Sequence, residues 1–319
     1  MLENIHNNEF SSTPHEISKN CDLIINKKSP LRYTLDHFSD VFNNEEIKKD
    51  KSHIESIKLS FENKNKNQEN VEKVIHAKKR SEALEIIIAD QIELSDWFGE
   101  DSLFFRTTEY DDFINNTDAV VEFNIGEEPK RIALAIDSTS RTDLPHVQEK
   151  INRNISKILN NNLEIKYFES QIDKFKGSIK GVIPVVIGLE AGNTNDLIDK
   201  FAQLIRLKQT LDDPLIHVNE KMQTRQSSTK CKKEIEKHPA QLIFLREIKS
   251  QLEMYKKIIA LENNENISIK ESDIQSLDQI ITDIIDDKKQ INQSSQMLPL
   301  ENDAVYNLIS YVSNKKFIP

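Results

Sequence analysis

The pattern of hydrophobic and polar positions changes character near Val71. Before it, apolar residues are scattered without a sustained period. Runs such as Glu62-Asn63-Lys64-Asn65-Lys66-Asn67-Gln68 bury too little apolar area to offset chain entropy. Residues 1–70 therefore read as a disordered polar arm, with short helices near Leu31–Phe42 and Ile54–Phe61. From Val71 onward periodicity is clear. Residues 71–95 carry Leu84, Ile87, Ile88 and Ile92 on one helical face. Ser102–Thr107, Ala119–Phe123 and Ile132–Asp137 are short β runs, the last two separated by the turn cluster Ile125-Gly126-Glu127-Glu128-Pro129. Pro145 opens a helix bearing Val147, Ile151, Ile155 and Leu159. Leu163–Phe168 and the apolar run Val182–Leu189 follow as strands, the second of a buried type.

Asn193-Thr194-Asn195 caps a further helix carrying Leu197, Phe201, Leu204 and Ile205. Residues 212–237 read as a polar loop. A long amphipathic helix then runs from Pro239 to about Glu262, with Leu242, Leu245, Ile248, Leu252, Tyr255 and Ile259 along one stripe. That stripe predicts packing on the core, on a protein partner or on a second copy of the chain. Helices near Ile274–Ile285 and Ala304–Val312 make a tail over 263–319. The domain reading is a polar arm over 1–70, an α/β core over 71–211, a loop and long helix over 212–262, and the tail.

Composition narrows the function classes. Six glycines and neither GxGxxG nor a Walker A sequence argue against a glycine-rich nucleotide loop. Cys21 and Cys231 are the only cysteines, so no disulfide framework or Cys/His knuckle can be built, and the eight histidines show no ligand spacing. Met1 to Pro14 lacks the basic start and apolar run of a signal peptide. No stretch approaches the roughly 20 apolar residues that span a bilayer. A cytoplasmic protein without membrane attachment is expected. The net charge of −10 disfavours a general nucleic-acid coat. It is unevenly spread: residues 71–145 carry eight basic against seventeen acidic side chains, and residues 146–262 carry twenty against fifteen.

The chemistry-bearing segment is Asp118-Ala119-Val120-Val121-Glu122-Phe123 followed by Ile132-Ala133-Leu134-Ala135-Ile136-Asp137-Ser138-Thr139. One carboxylate opens a strand and another closes the next. A hairpin with Phe123 opposite Ile132 sets Asp118 opposite Asp137, with Cβ atoms roughly 5 Å apart, close enough to share one hard cation. Solvated strand ends with turn-capping aspartates are the alternative. Asp111 and Asp112 read as outer acids or as an ordinary turn. Glu122 is expected to pair with a basic residue or lie at an edge, and Trp97 and Phe98 to sit in the core or cap the first helix.

The order helix, three strands, helix, strand, with an Asp entering the second strand and an acid ending the third, resembles the PD-(D/E)XK nuclease superfamily over about residues 71–190. The resemblance implies a restriction-endonuclease-like α/β core built on a three-stranded antiparallel meander. It also implies a Mg²⁺- or Mn²⁺-dependent nuclease acting on DNA or RNA. Asp118 and Asp137 match the two motif acids, while the motif lysine position is occupied by Thr139. A threonine hydroxyl positions a water but supplies no positive charge. Lys166, on the strand after the helix, is the first candidate to replace that lysine, with Lys150 and Arg141 behind it. Family members add an acid from the first helix. Glu85, at the edge of the apolar arc, is the better candidate, whereas Glu82 points further toward water. The Lys-to-Thr departure keeps a second expectation open: a nuclease-fold module that binds nucleic acid or a protein partner without cutting.

Overall fold

The computed structural model describes residues 13–28, 32–66, 71–125, 130–140, 142–262, 269–292 and 302–315. The chain order is α1 (Pro14–Lys28), a 3₁₀ turn (Leu35–Phe38), α2 (Asn44–Lys66), α3 (Val71–Ser95), β1 (Ser102–Arg106), α4 (Glu109–Asn115), β2 (Ala119–Ile125) and β3 (Lys130–Thr139). It continues with α5 (Leu144–Leu159), β4 (Glu164–Glu169), β5 (Lys176–Lys180), β6 (Ile183–Gly188), α6 (Ala191–Asp212), α7 (Val218–Glu236), α8 (Ala240–Glu262), α9 (Glu271–Asn292) and α10 (Ala304–Lys315). The protein is mixed α/β, dominated by helices around a small mixed sheet.

That sheet has the order β1-β2-β3-β6. β1, β2 and β3 form an antiparallel meander, and Phe123 pairs with Ile132, the register assumed for the hairpin. β6 joins parallel to β3, with Leu134 against Ile183 and Thr139 against Gly188. A parallel neighbour needs a crossover, which α5, β4 and β5 supply. β4 does not extend the sheet. It pairs with β5 in a separate two-stranded ribbon, fastened back to the meander by Glu122, which accepts from Ser170 Oγ (2.9 Å) and Gln171 N (3.2 Å). Glu122 is thus a buried structural carboxylate rather than an edge residue. Trp97 and Phe98 are fully buried in the core.

Gly188 has a specific reason to be glycine: a Cβ there would lie 2.3 Å from the Thr139 carbonyl oxygen. Its strand, β6, is an edge strand whose outer backbone groups need partners. α8 supplies them from side chains one helical turn apart. Glu247 Oε2 accepts from Gly188 N (2.8 Å). Gln251 accepts from Val186 N (2.9 Å) and donates to Val186 O (2.7 Å), and Tyr255 donates to Pro184 O (2.8 Å). Two strand residues rise roughly 6.6 Å and four helical residues about 6 Å, so the two repeats stay in step.

The apolar stripe of α8 is consumed within the chain. Leu242, Leu245, Ile248, Leu252 and Tyr255 are all buried, so self-association or partner docking through this stripe is corrected. The polar loop expected over 212–237 is largely the helix α7, which buries only Thr224, Cys231 and Ile235, a stripe too sparse to register as periodicity. The turn expected at Tyr110-Asp111-Asp112 is part of α4.

The disordered arm expected over 1–70 is also corrected for residues 13–28 and 32–66; the first twelve lie outside the described residues. α1 buries Ile17, Cys21 and Ile24, a single i, i+4, i+7 stripe, and its Asn20 donates to Asp199 (2.7 Å). α2 buries Ile47 and Ile54 with a carboxylate, Asp50, between them on the same face. Polar residues thus complete faces that are too narrow in apolar residues to be recognised. Among the described residues no helix is long and apolar enough to cross a membrane.

Candidate functional site

The site lies where β2 begins and β3 ends. Asp118 is held by its backbone: its N–H donates to Ile136 O (2.8 Å), and its carbonyl accepts from Thr107 N (3.2 Å) and Thr107 Oγ1 (2.9 Å). Continuing the ladder past Ala119 and Ile136 sets Asp118 opposite Asp137. The two carboxylates nevertheless take different partners. Asp118 Oδ2 accepts from Ser138 N (2.7 Å) and Ser138 Oγ (2.8 Å). Asp137 Oδ1 accepts from Lys150 Nζ (2.5 Å) and its Oδ2 from Arg153 Nη2 (2.8 Å).

Strand alternation separates Asp137 from Ile136 and Ser138, while Asp118, just past the last paired residue of β2, turns across to Ser138. Ala119, Ile136 and Ser138 face α3, and with Glu85, Ile88, Phe104, Arg106 and Asp118 they surround a cavity of about 10 Å³. That is close to the space one water-sized sphere needs. Asp137 faces α5 instead, from which Lys150 and Arg153 reach it. Lys150 Nζ also donates to Ser138 O (2.8 Å), which ties the helix to the strand end.

On the α3 side two carboxyls lack a full cationic counterweight. Glu85 has Arg106 Nη2 only at 3.9 Å. Burial, and then the charges of Asp118 and Asp112, hold the Glu85 carboxyl well above the ordinary glutamate range. Burial first, then Asp137 and Asp112, push the Asp118 carboxyl up to about 7, against the lowering effect of Lys150 and the Ser138 hydrogen bond. Further out, Asp112 is paired with Arg32 (2.9 Å). On the α5 side, burial and the neighbouring Arg153 lower the Lys157 ammonium to about 8.

The expected residues divide as follows. Glu85 and Asp118 are brought together at one cavity, and Asp137 stands behind them, with both oxygens taken by α5. Thr139, at the motif-lysine position, is buried against the close approach of Gly188. Lys166 is directed away and is corrected as a site residue. Its Nζ is paired with Asp50 (2.6 Å) and Glu46 (2.7 Å) of α2, among the rings of Phe42, Tyr110 and Tyr167. It was favoured for lying on the strand after α5, but that strand belongs to the separate ribbon. Arg141 lies outside the described residues. Asp111 is structural: it accepts from Lys166 N (2.8 Å), Tyr167 N (3.0 Å) and Asn115 Nδ2 (2.6 Å), docking α4 onto β4.

Sequence reasoning missed Ser138, Arg106, Arg153 and Lys157. The last two, with Lys150, recur at i, i+3 and i+7 beside the buried Val147, Ile151 and Ile158 of α5. Three cations flanking an apolar stripe were a legible signal.

No family model matches the sequence, and no curated protein or solved structure matches it. A divalent cation fits part of the donor set. Glu85 and Asp118 are hard oxygen donors at one small cavity, mutually repelling and pushed toward protonation, which is the condition a cation relieves. Asp137 does not add a free oxygen in this arrangement. Among the described residues no group of three or more His, Cys, Asp and Glu side chains is disposed as a metal cage.

Proposed function

We propose that this chain is a PD-(D/E)XK-like, metal-dependent nuclease that hydrolyses phosphodiester bonds of DNA or RNA. The observation that carries the reading is Lys150. Thr139 cannot supply the motif's positive charge, and an ammonium from α5 stands instead at the two residues preceding it, on Asp137 Oδ1 and Ser138 O. The meander β1-β2-β3 with β6 parallel to β3, flanked by α3 and α5, supports the same reading.

Glu85 and Asp118 would hold Mg²⁺ or Mn²⁺, with the charge of Asp137 nearby. Such an ion activates water and stabilises charge developing on a scissile phosphate. The protein's own groups have separable tasks. Ser138 fixes the Asp118 carboxylate through two hydrogen bonds. Lys150 offsets negative charge where a phosphate oxygen would develop it, and its anchorage on Ser138 O means little reorganisation is needed. Arg106 partly balances Glu85 so that both carboxyls can share a half-buried space.

The test is thermal melting against Mn²⁺ concentration, with nucleic-acid cleavage measured in parallel. Mn²⁺ should raise the melting temperature by mass action, and Asp118→Asn and Glu85→Gln should each abolish that rise and the cleavage. No Mn²⁺ response in the folded wild type would remove the metal site. One observation favours a second reading. Both Asp137 oxygens are satisfied by Lys150 and Arg153, as in a nuclease fold that binds nucleic acid or a protein partner without cutting. Metal stabilisation without cleavage of any DNA or RNA tested would select that reading.

A further inference from the structure

α5 presents Lys150, Arg153 and Lys157 as one row, at i, i+3 and i+7, spanning about 10 Å. All three are half-buried, and among the described residues their only bonded carboxylate is that of Asp137. Among the described residues no carboxylate bonds Lys157 directly, although the charge of Asp137 acts on it; its ammonium donates to the Asn115 carbonyl at the end of α4. Half-buried cations are costly unless an anion meets them. The surplus lies at the Arg153–Lys157 end of the row, away from the carboxyl cluster of Glu85 and Asp118. The more exposed face of the same helix is without basic residues, since Gln148, Glu149, Asn152 and Ser156 occupy it.

The geometry points to an anion-binding subsite at Arg153 and Lys157 that takes a backbone phosphate of a nucleic-acid strand. The identity of the anion rests on the phosphodiesterase reading; the charge surplus does not. Arg153 offers a planar fork and Lys157 a point charge, a pairing suited to phosphate oxygens without reading base identity.

The experiment is metal-free, so it stands apart from the Mn²⁺ test. Binding of fluorescein-labelled oligothymidylate and oligouridylate to the full chain is followed by fluorescence anisotropy in EDTA across a salt series. Arg153→Gln and Lys157→Met should each weaken binding about five-fold and flatten the slope of log affinity against log salt by about 0.7. Lys157→Arg should retain both. Melting of the unliganded variants separates site from scaffold. A ligand-seeking Lys157 is a burden in the free protein, so Lys157→Met should melt no lower than wild type. Unchanged affinity and slope in both variants would overturn the subsite. So would a lower melting point for Lys157→Met with unchanged binding, which would make Lys157 a cap for α4. Protection by inorganic phosphate at matched ionic strength, with no oligonucleotide bound, would overturn the nucleic-acid source of the anion.

Discussion

Lys150 bonds Asp137 across the junction of α5 and β3, with Nζ 2.5 Å from Oδ1, side chains only 12 % and 9 % exposed, and Ser138 O as a second acceptor at 2.8 Å. Replacing it with Met leaves a largely buried carboxylate with Arg153 alone. Lys150→Met should therefore lose about 1–3 kcal/mol of stability in chemical denaturation. Cleavage should fall about a hundred-fold or more while the Mn²⁺ melting shift remains. A variant that kept wild-type cleavage would remove Lys150 from the chemistry.

The carboxyl of Asp118 gives a pH signature with a definite sign. Its pKa rises on folding to about 7 from the ordinary 3.8, chiefly through burial. The folded state therefore holds that proton more tightly than the unfolded state. The stability this provides is fully present below about pH 4 and is lost as pH climbs through about 7. Asp118→Asn can still accept from Ser138 N and Oγ but carries no charge. In EDTA it should melt with wild type near pH 4 and above it at pH 8, by about 1–2 kcal/mol after allowance for partial solvent access. Coincident melting curves at pH 8 would show that the carboxylate is adequately solvated or paired.

How much of this was legible in the sequence differs by element. The two strands on either side of the turn cluster were readable as apolar β runs, but their register was an assumption, since nearly continuous apolar runs joined by eight residues allow more than one pairing; Phe123 does meet Ile132. The directions of the carboxylates were not readable. Ideal pairing turns Asp118 and Asp137 to one face, but Asp118 stands just past the last paired residue and swings to Ser138. Lys166 stood ahead of Lys150 for lying on the strand after α5, but that strand pairs with β5 and not with β3. The fully buried run of β6 takes the position beside β3 instead. Asp50, buried between Ile47 and Ile54, interrupts the α2 stripe, so periodicity alone counts that face as weak.

The seam between α8 and β6 carries its own expectation. Gln251 satisfies both the N–H and the C=O of Val186, and all these groups are buried. Gln251→Leu keeps the volume but orphans a donor and an acceptor, at a cost of about 2–4 kcal/mol. Tyr255→Phe removes one hydrogen bond to Pro184 O and should cost about 1 kcal/mol. Equal melting of the two variants would mean that water replaces the glutamine at this seam.

The N-terminal helices give the prediction on which sequence and structure differ most. A polar arm without periodicity should be removable, and deleting residues 1–70 should leave melting unchanged. The structure requires the opposite. Ile17, Cys21 and Ile24 of α1 pack against α3 and α6, and Phe38, Ile47 and Ile54 are buried as well. Deletion also strips Lys166 of Asp50, Glu46 and the Phe42 ring, leaving its ammonium with only the rings of Tyr110 and Tyr167. The hydrogen bond from Tyr167 to Asp50 and the ion pairs of Lys79 with Asp22 and Asp90 with Lys28 are lost too. Each buried aliphatic side chain contributes about 1.5–3 kcal/mol, and a domain of this size loses roughly 2–4 °C per kcal/mol. A chain beginning at Val71 should thus melt on the order of 10 °C or more below the full chain, or fail to fold. Deleting residues 1–12 alone touches none of these contacts and should leave the melting temperature within about 2 °C. Differential scanning calorimetry on the two truncations decides the matter: equal melting of both with the full chain would return α1 and α2 to the status of an appendage.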